Sequence, residues 1–288
     1  MKMRARNGHG ASAERRGQGA QETPSRIFLI AEALSREKLK LFGTAMMMLA
    51  MVLLRFIVGT WPHSGQGKPP MYGDFEAQRH WLEITSNLPL GNWYSFDIQY
   101  WGLDYPPLQA FHAWAFGAFA QRVYPAGVTL NTSRGYEEPS FKAYMRSTVV
   151  VSDMVVLFPA CFYLGKELLG ARNFALRFEW LVLQLLSPAL LLIDHGHFQY
   201  NAVCIGLAIA ACVAYARRSD LTAAVLFTLS LHFKQIALFY ALPFFFVLIA
   251  SSWRSNKQIF SAVIAIVRIG VVTVAIFALL WLPFCIFP

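Results

Sequence analysis

Residues 41–61 read LFGTAMMMLAMVLLRFIVGTW, a stretch in which Arg55 is the only formal charge. A helix rises about 1.5 Å per residue, so this run covers the roughly 30 Å hydrocarbon core of a bilayer. An arginine inside it must face protein or snorkel to the interface. Composition points the same way: 56% of the 288 residues are hydrophobic and 14% are charged, against roughly 25% charged in a soluble domain. Further apolar runs suggest spans at about 147–164, 178–193, 200–216 and 259–284. The stretch 221–253, LTAAVLFTLSLHFKQIALFYALPFFFVLIASSW, is too long for one crossing and is interrupted by Lys234 and Pro243. It reads as a hairpin whose tip lies near HFKQ. The apolar runs are continuous rather than alternating, which argues against a transmembrane barrel. The expected fold is therefore all-α: a polytopic transmembrane helical bundle over residues 41–288, with a large polar loop carrying surface helices at 62–141.

The formal charge of +9 would suggest nucleic acid in a soluble protein, but nine of the 25 Lys and Arg lie in residues 1–40, only partly offset by Glu14, Glu22, Glu32 and Glu37. That segment reads as a disorder-prone basic tail and not as a signal peptide, since no short apolar segment with a cleavage site follows. Short loops rich in Lys and Arg face the cytosol. On that rule the tail, the 165–178 loop with Lys166, Arg172 and Arg177, the pair Arg217/Arg218, and Arg254 with Lys257 share the cytosolic side. The polar clusters YGDFEAQRHW, YWGLDYPP, DHGHFQYN and HFKQ all fall on the other side, as does the glycosylation sequon Asn131-Thr132-Ser133. Cys161, Cys204, Cys212 and Cys285 lie in apolar runs without metal-ligand spacing and read as small apolar fillers.

Each cluster admits a bland and a chemical reading. From Asp74 to about Ser86, the residues Ala77, Trp81, Ile84 and Leu88 recur at helical spacing with Glu76, Arg79, His80 and Glu83 opposite them. This predicts a short amphipathic helix lying along the membrane surface. Either Asp74 is its N-cap and the charges form an interfacial ion-pair ladder, or Asp74, held at a helix start beside a low-dielectric boundary, serves as a general base. Asp74 and Glu76 would hold a divalent cation only in a non-helical turn, because side chains two apart on a helix diverge. Trp101, Asp104 and Tyr105, ahead of the turn fixed by Pro106 and Pro107, read as an aromatic belt or as a sugar-binding surface. Asp194, His195, His197, Gln199 and Asn201 suit recognition of polyhydroxyl or phosphate groups, whereas zinc would need ligands that no partner motif supplies. Lys234 and Gln235 either snorkel or hold a lipid phosphate. No metal site is expected.

Taken together, YGDFEAQRHWLEIT, NLPLGNWY, QYWGLDYPPLQAFHAW, TSRGYE, DHGHFQYN and HFKQIALFYALP closely resemble the endoplasmic-reticulum dolichyl-phosphate-glucose alpha-1,3-glucosyltransferases. The resemblance runs from about Phe42 to Pro288. It is closest to the branch that adds the first glucose to a lipid-linked nine-mannose oligosaccharide; the second-glucose branch shares DYPP and HFQYN but differs in the first-loop motif. The resemblance implies a GT-C bundle in the endoplasmic reticulum membrane, with a cytosolic N-terminus and a catalytic aspartate in the first luminal loop. That aspartate corresponds to Asp74, which would take a proton from the acceptor mannose hydroxyl. The implied donor is dolichyl phosphate glucose, the acceptor a dolichyl-diphosphate-linked oligosaccharide, and transfer inverts the anomeric carbon with no cofactor. The expected substrate contacts are Glu76, Arg79, His80, Trp81, Trp101, Asp104, Tyr105, Asp194, His195, His197, Gln199, Asn201, Lys234 and Gln235. His195, His197 and Lys234 are assigned, from chemistry and side, to stabilising the leaving phosphate. Members of the family are similar in being considerably longer, so the chain is expected to be a fragment or a short form. A transporter would favour polar residues near mid-bilayer and an inverted repeat, and neither is visible; a catalytically silent membrane scaffold is the remaining alternative.

Overall fold

The computed structural model describes residues 24–35, 37–170, 173–255 and 258–286. Residues 1–23, and with them most of the basic tail, lie outside the described residues, as do Arg172 and Lys257. Part of the segment read as tail is helical. Arg26–Ala33 forms α1, capped by Ser25, whose hydroxyl accepts from the Phe28 N–H at 3.0 Å. Its apolar residues Ile27 to Ile30 give it a reason to fold against α7, Phe174–Leu185, where Ser25 also hydrogen-bonds Glu179.

Five described helices are long and apolar enough to cross a membrane: Leu39–Gly59, Pro139–Leu169, Phe174–Phe198, Gln235–Ser255 and Ile259–Ile286. The first lies in α2, Glu37–Gly59. Two shorter apolar helices, α9 (Asn201–Ala216) and α10 (Asp220–Phe233), pack on each other beside them. The protein is thus a polytopic helical membrane protein. Several boundaries differ from the expected ones. The second span begins at Pro139 rather than 147, and joins α5 (Pro139–Ser152) to α6 (Phe158–Leu169) through a π-helical turn at Asp153–Leu157. The third is broken after Leu185 by Pro188, which opens the single turn α8 (Pro188–Leu190), and it finishes as a π-helical segment, Leu191–Phe198. Lys234 is extended between α10 and a short 3₁₀ stretch, Gln235–Tyr240, which leads into α11 (Ala241–Ser255). Pro243 sits in the first turn of α11, where its missing N–H leaves no ladder bond unmade. Helix α12, Ile259–Ile286, closes the described chain.

The loop after the first span carries α3 (Gly73–Asn87) and α4 (Pro107–Val123), which pack together so closely that a Cβ at Gly117 would lie 2.7 Å from the Leu82 carbonyl oxygen. The surface helix expected at Asp74–Ser86 is instead an interior one: every residue of α3 from Phe75 to Thr85 is buried. Its apolar side joins Phe141, Phe198 and Tyr200 in the largest core cluster. Its charged side buries too, because its charges neutralise one another. Arg79 donates to Glu76 at 2.7 Å and to Glu83 at 2.7 Å, and His80 lies 3.0 Å from Glu83. The cluster reaches beyond the helix: the Tyr100 hydroxyl donates to Glu76 at 3.0 Å, Arg79 to Ser133 Oγ at 2.5 Å, and the Asn131 N–H to Glu83 at 2.7 Å. Burial by itself would raise the pKa of Glu83, but the His80 hydrogen bond and the Arg79 charge outweigh it and hold the carboxyl at about 2.

Candidate active site

Asp74 lies in the first turn of α3, one residue inside the helix start, with Tyr72 in the left-handed region before it. It is therefore not the N-cap. Its carboxylate is free to reach outward, and Oδ2 accepts two hydrogen bonds from residues more than 120 positions away: His197 Nε2 at 2.9 Å and Gln199 Nε2 at 2.5 Å. No described residue donates to Oδ1. The side chains of Asp74 and His197 keep 35% and 43% of their surface open, so a ligand can reach the carboxylate.

The supporting chain continues from Gln199. Lys234 Nζ donates to Gln199 Oε1 at 3.1 Å and to Asn201 Oδ1 at 2.7 Å, which fixes the amide so that its NH₂ faces Asp74. Asn201 in turn donates to Asp194 at 2.7 Å, and the second Asp194 oxygen accepts the Ala202 N–H at 2.7 Å. The Lys234 ammonium also lies 4.9 Å from the centre of the Tyr105 ring, a cation–π contact. Gln235 donates to the Asp104 carbonyl at 2.9 Å, tying the hairpin tip to the DYPP turn. Partial burial raises the pKa of the Asp104 carboxyl, and the neighbouring Asp74 charge adds to this. Asp74, Asp104, Tyr105, Gln199, Asn201, Lys234 and Gln235, with His197, thus form one constellation, though they come from four separate stretches of sequence.

The peculiar backbone of the DHGHFQYN segment produces this aim. Residues 191–198 are π-helical, and Phe198 then takes φ = 89°, a left-handed value rare outside glycine. The chain is held there by buried charges. Arg55 donates to Asp153 Oδ2 at 2.8 Å and to the Leu185 carbonyl at 3.1 Å, and His195 Nε2 bonds the same Asp153 oxygen at 2.9 Å. Arg146 donates to the carbonyls of His195 and Gly196.

Some expected contacts belong to the scaffold instead. Glu76, Arg79 and His80 are at most 1% exposed and are engaged in the α3 cluster, which leaves them no face for a sugar. Their charges looked like a solvated stripe because periodicity alone does not say what lies opposite. Trp81 is buried, its indole N–H shared between the carbonyls of Trp101 and Gly102, and the Trp101 indole N–H donates to Met71 O at 2.7 Å. His195 is buried on Asp153 rather than beside Asp74, and Asp194 is buried beneath Asn201. The sequence reading did not assign a role to Arg146 or Asp153; a charge within an apolar run was the available signal. Asp74 and Glu76 do diverge, the one toward His197 and the other toward Arg79, which is the helical geometry that disfavours their sharing a cation.

The sequence pattern of the ALG6, ALG8 glycosyltransferase family matches residues 47–287. Over 240 residues the chain is 44% identical to the probable dolichyl pyrophosphate Man9GlcNAc2 alpha-1,3-glucosyltransferase of Dictyostelium discoideum, covering 81% of this chain and 46% of that protein. It is 46% identical over 236 residues to the dolichyl pyrophosphate Man9GlcNAc2 alpha-1,3-glucosyltransferase of Saccharomyces cerevisiae, covering 81% and 43%. The corresponding protein of Gallus gallus is 40% identical over 236 residues, with 81% and 46% covered. The chain spans less than half the length of these relatives. It belongs to the ALG6, ALG8 glycosyltransferase family.

Proposed function

We propose that this member of the ALG6, ALG8 glycosyltransferase family transfers glucose from dolichyl phosphate glucose to a dolichyl-diphosphate-linked nine-mannose oligosaccharide. In this reading it adds the first glucose, in alpha-1,3 linkage with inversion, at the luminal face of the endoplasmic reticulum membrane, on a GT-C type bundle whose N-terminus is cytosolic. The observation that carries it is the state of Asp74: one carboxylate oxygen held by His197 and Gln199, the other open to the surface.

The chemistry needs little else. The acceptor hydroxyl oxygen forms a bond to the anomeric carbon as the bond from that carbon to the phosphate oxygen breaks. The hydroxyl proton passes to Asp74 Oδ1, and the electron pair of the broken bond leaves with dolichyl phosphate. Phosphate is a good leaving group, so no metal is required; a cation or imidazole beside it suffices. His197 and Lys234 are assigned that work, Lys234 held by Gln199 and Asn201 and His197 by Asp74. Asp104, Tyr105 and Gln235, tied to the same hairpin tip, supply the adjoining wall for sugar hydroxyls and a ring face in this reading. General-base catalysis contributes about 10²–10⁴-fold. Asp74→Asn keeps the shape and removes the base, so glucose transfer from dolichyl phosphate glucose in membranes carrying the protein should fall at least 100-fold with unchanged membrane insertion. Undiminished transfer by Asp74→Asn at equal protein level would end the general-base assignment.

A further inference from the structure

A second polar cleft lies between the ends of the first two spans, where Arg146 reaches the carbonyls of His195 and Gly196. Its volume is about 410 Å³ and its walls include Phe56, Gly59, Gln66, Glu137, Lys142 and Arg146. Two cations line it, and neither forms an ion pair with a described residue. Lys142 donates to the neutral amide oxygen of Gln66 at 2.6 Å. Arg146 is 5% exposed, and its terminal nitrogens donate only to carbonyls, those of Trp61, His195 and Gly196. Its Nε–H is buried with no acceptor among the described residues. A buried guanidinium without a counter-charge, and with a donor left over, is a costly arrangement that ordinarily signals an anion or ordered water. The one carboxylate in the wall, Glu137, is turned to other work: Oε1 accepts the Gly67 N–H at 3.0 Å and lies 3.8 Å from His63 Nε2.

Space at the cleft is kept by Gly59, the last residue of α2. A Cβ there would already be in van der Waals contact with Arg146 Cδ, the atom next to Nε, at 3.4 Å, so a branched side chain would press on that guanidinium stem. The rim is apolar: Phe56 and Pro139 are exposed at the ends of their spans, where headgroups begin.

We propose that this cleft binds a phosphate monoester at the membrane surface, with its oxygens between Lys142 Nζ and Arg146 Nε. A monoester fits better than a diester on charge. As a dianion it brings two negative charges to two cations, where a diester brings one. The inference goes beyond glucosyl transfer and does not depend on it, because no turnover is needed to read it.

The test titrates the purified 288-residue chain in neutral detergent with phosphatidic acid, phosphatidylcholine and inorganic phosphate, following adducts by native mass spectrometry and the apparent Tm. Phosphatidic acid should be retained at concentrations at least tenfold below phosphatidylcholine. Lys142→Gln should weaken it about tenfold, Lys142→Arg should restore it, and Gly59→Val should weaken it without touching a charge. Lys142 is only half-buried, so its variants keep the fold even if Gly59→Val does not. Saturation by inorganic phosphate with the same Lys142 dependence would support the site and assign it to the free anion; preference for phosphatidic acid would assign it to a lipid headgroup. Equal retention of monoester and diester, or binding indifferent to the Lys142 variants, overturns the proposal.

Discussion

At the residue scale, the proposed chemistry turns on the difference between the two oxygens of Asp74, and Lys234 guards it. With Lys234 on its carbonyl oxygen, Gln199 can present only its NH₂ to Asp74. Lys234→Met frees the amide to flip and turn a lone pair toward the carboxylate. Transfer should fall by about 10–100-fold through kcat, with a smaller effect on acceptor KM, in steady-state assays at varied acceptor. His63 makes a different forecast. Its ring is stacked on Phe75 with centroids 4.2 Å apart, and burial lowers its pKa to about 4. Half-buried His112 is lowered to about 4 as well, by desolvation. The unfolded chain, with histidine near 6.5, then binds more protons than the folded one below that pH. The stability these rings contribute is complete above about 6.5 and is lost as pH falls toward 4, by up to ~1.4 kcal/mol per pH unit for each ring. The apparent Tm in detergent should drop between pH 7 and 5, and His63→Gln should flatten that slope by about half; an unchanged slope would place the acid sensitivity elsewhere. Asp74, His197 and Lys234 were legible as candidates from sequence because polar groups at the ends of apolar runs have few structural excuses. Their meeting was not, since 123 residues separate Asp74 from His197 and no local pattern encodes that distance.

At the scale of elements, α3 shows how a charged stripe becomes core. Helical periodicity was readable from Ala77, Trp81 and Ile84, and the helix is where it was expected to within a residue or two. What the pattern could not carry is that the opposite stripe has its own partners: Ser133, Tyr100 and the Asn131 N–H, all delivered by later turns of the loop. Because two carboxylates share one guanidinium there, Arg79→Met should cost about 3–5 kcal/mol by leaving buried charge unpaired. The loss should appear as a lower yield of folded protein and a reduced apparent Tm, whereas Arg79→Met in a Glu76→Gln, Glu83→Gln background should be far milder. Near-equal stability of the single and triple variants would show that the cluster is not held by its charges. The π-helical turns at Asp153 and at 191–198 were equally invisible in advance, since one extra residue in a turn leaves no hydrophobic period to read. They meet through Asp153 and His195, and the register they set turns His197 toward Asp74 while His195 faces inward.

At the scale of the whole molecule, composition located the seven apolar stretches, of which five described helices are long enough to cross a membrane and two are shorter; their ends did not follow, because helices continue into polar sequence wherever tertiary partners wait. The second span starts eight residues early for this reason: Pro139 to Arg146 are polar enough to look like loop, yet Phe141, Tyr144 and Met145 pack into the loop core. Sidedness is the larger matter. Arg217 pairs with Glu167 at 2.7 Å, so two of the short basic connections meet at one end of the bundle, and the Asp74 constellation is built from the connections that join the opposite ends of the same helices. If the basic end is cytosolic, Asp74 faces the lumen, where the proposed donor and acceptor both expose their sugars. Ser64, exposed just after the first span, and Ser219, between α9 and α10, mark the two faces. In sealed microsomes a membrane-impermeant thiol reagent should label Ser219→Cys at once and Ser64→Cys only after permeabilisation, above the background of the native cysteines. The reverse order would set Asp74 in the cytosolic compartment, out of reach of a luminal acceptor hydroxyl, and the geometry around its open oxygen would then have to serve some other chemistry.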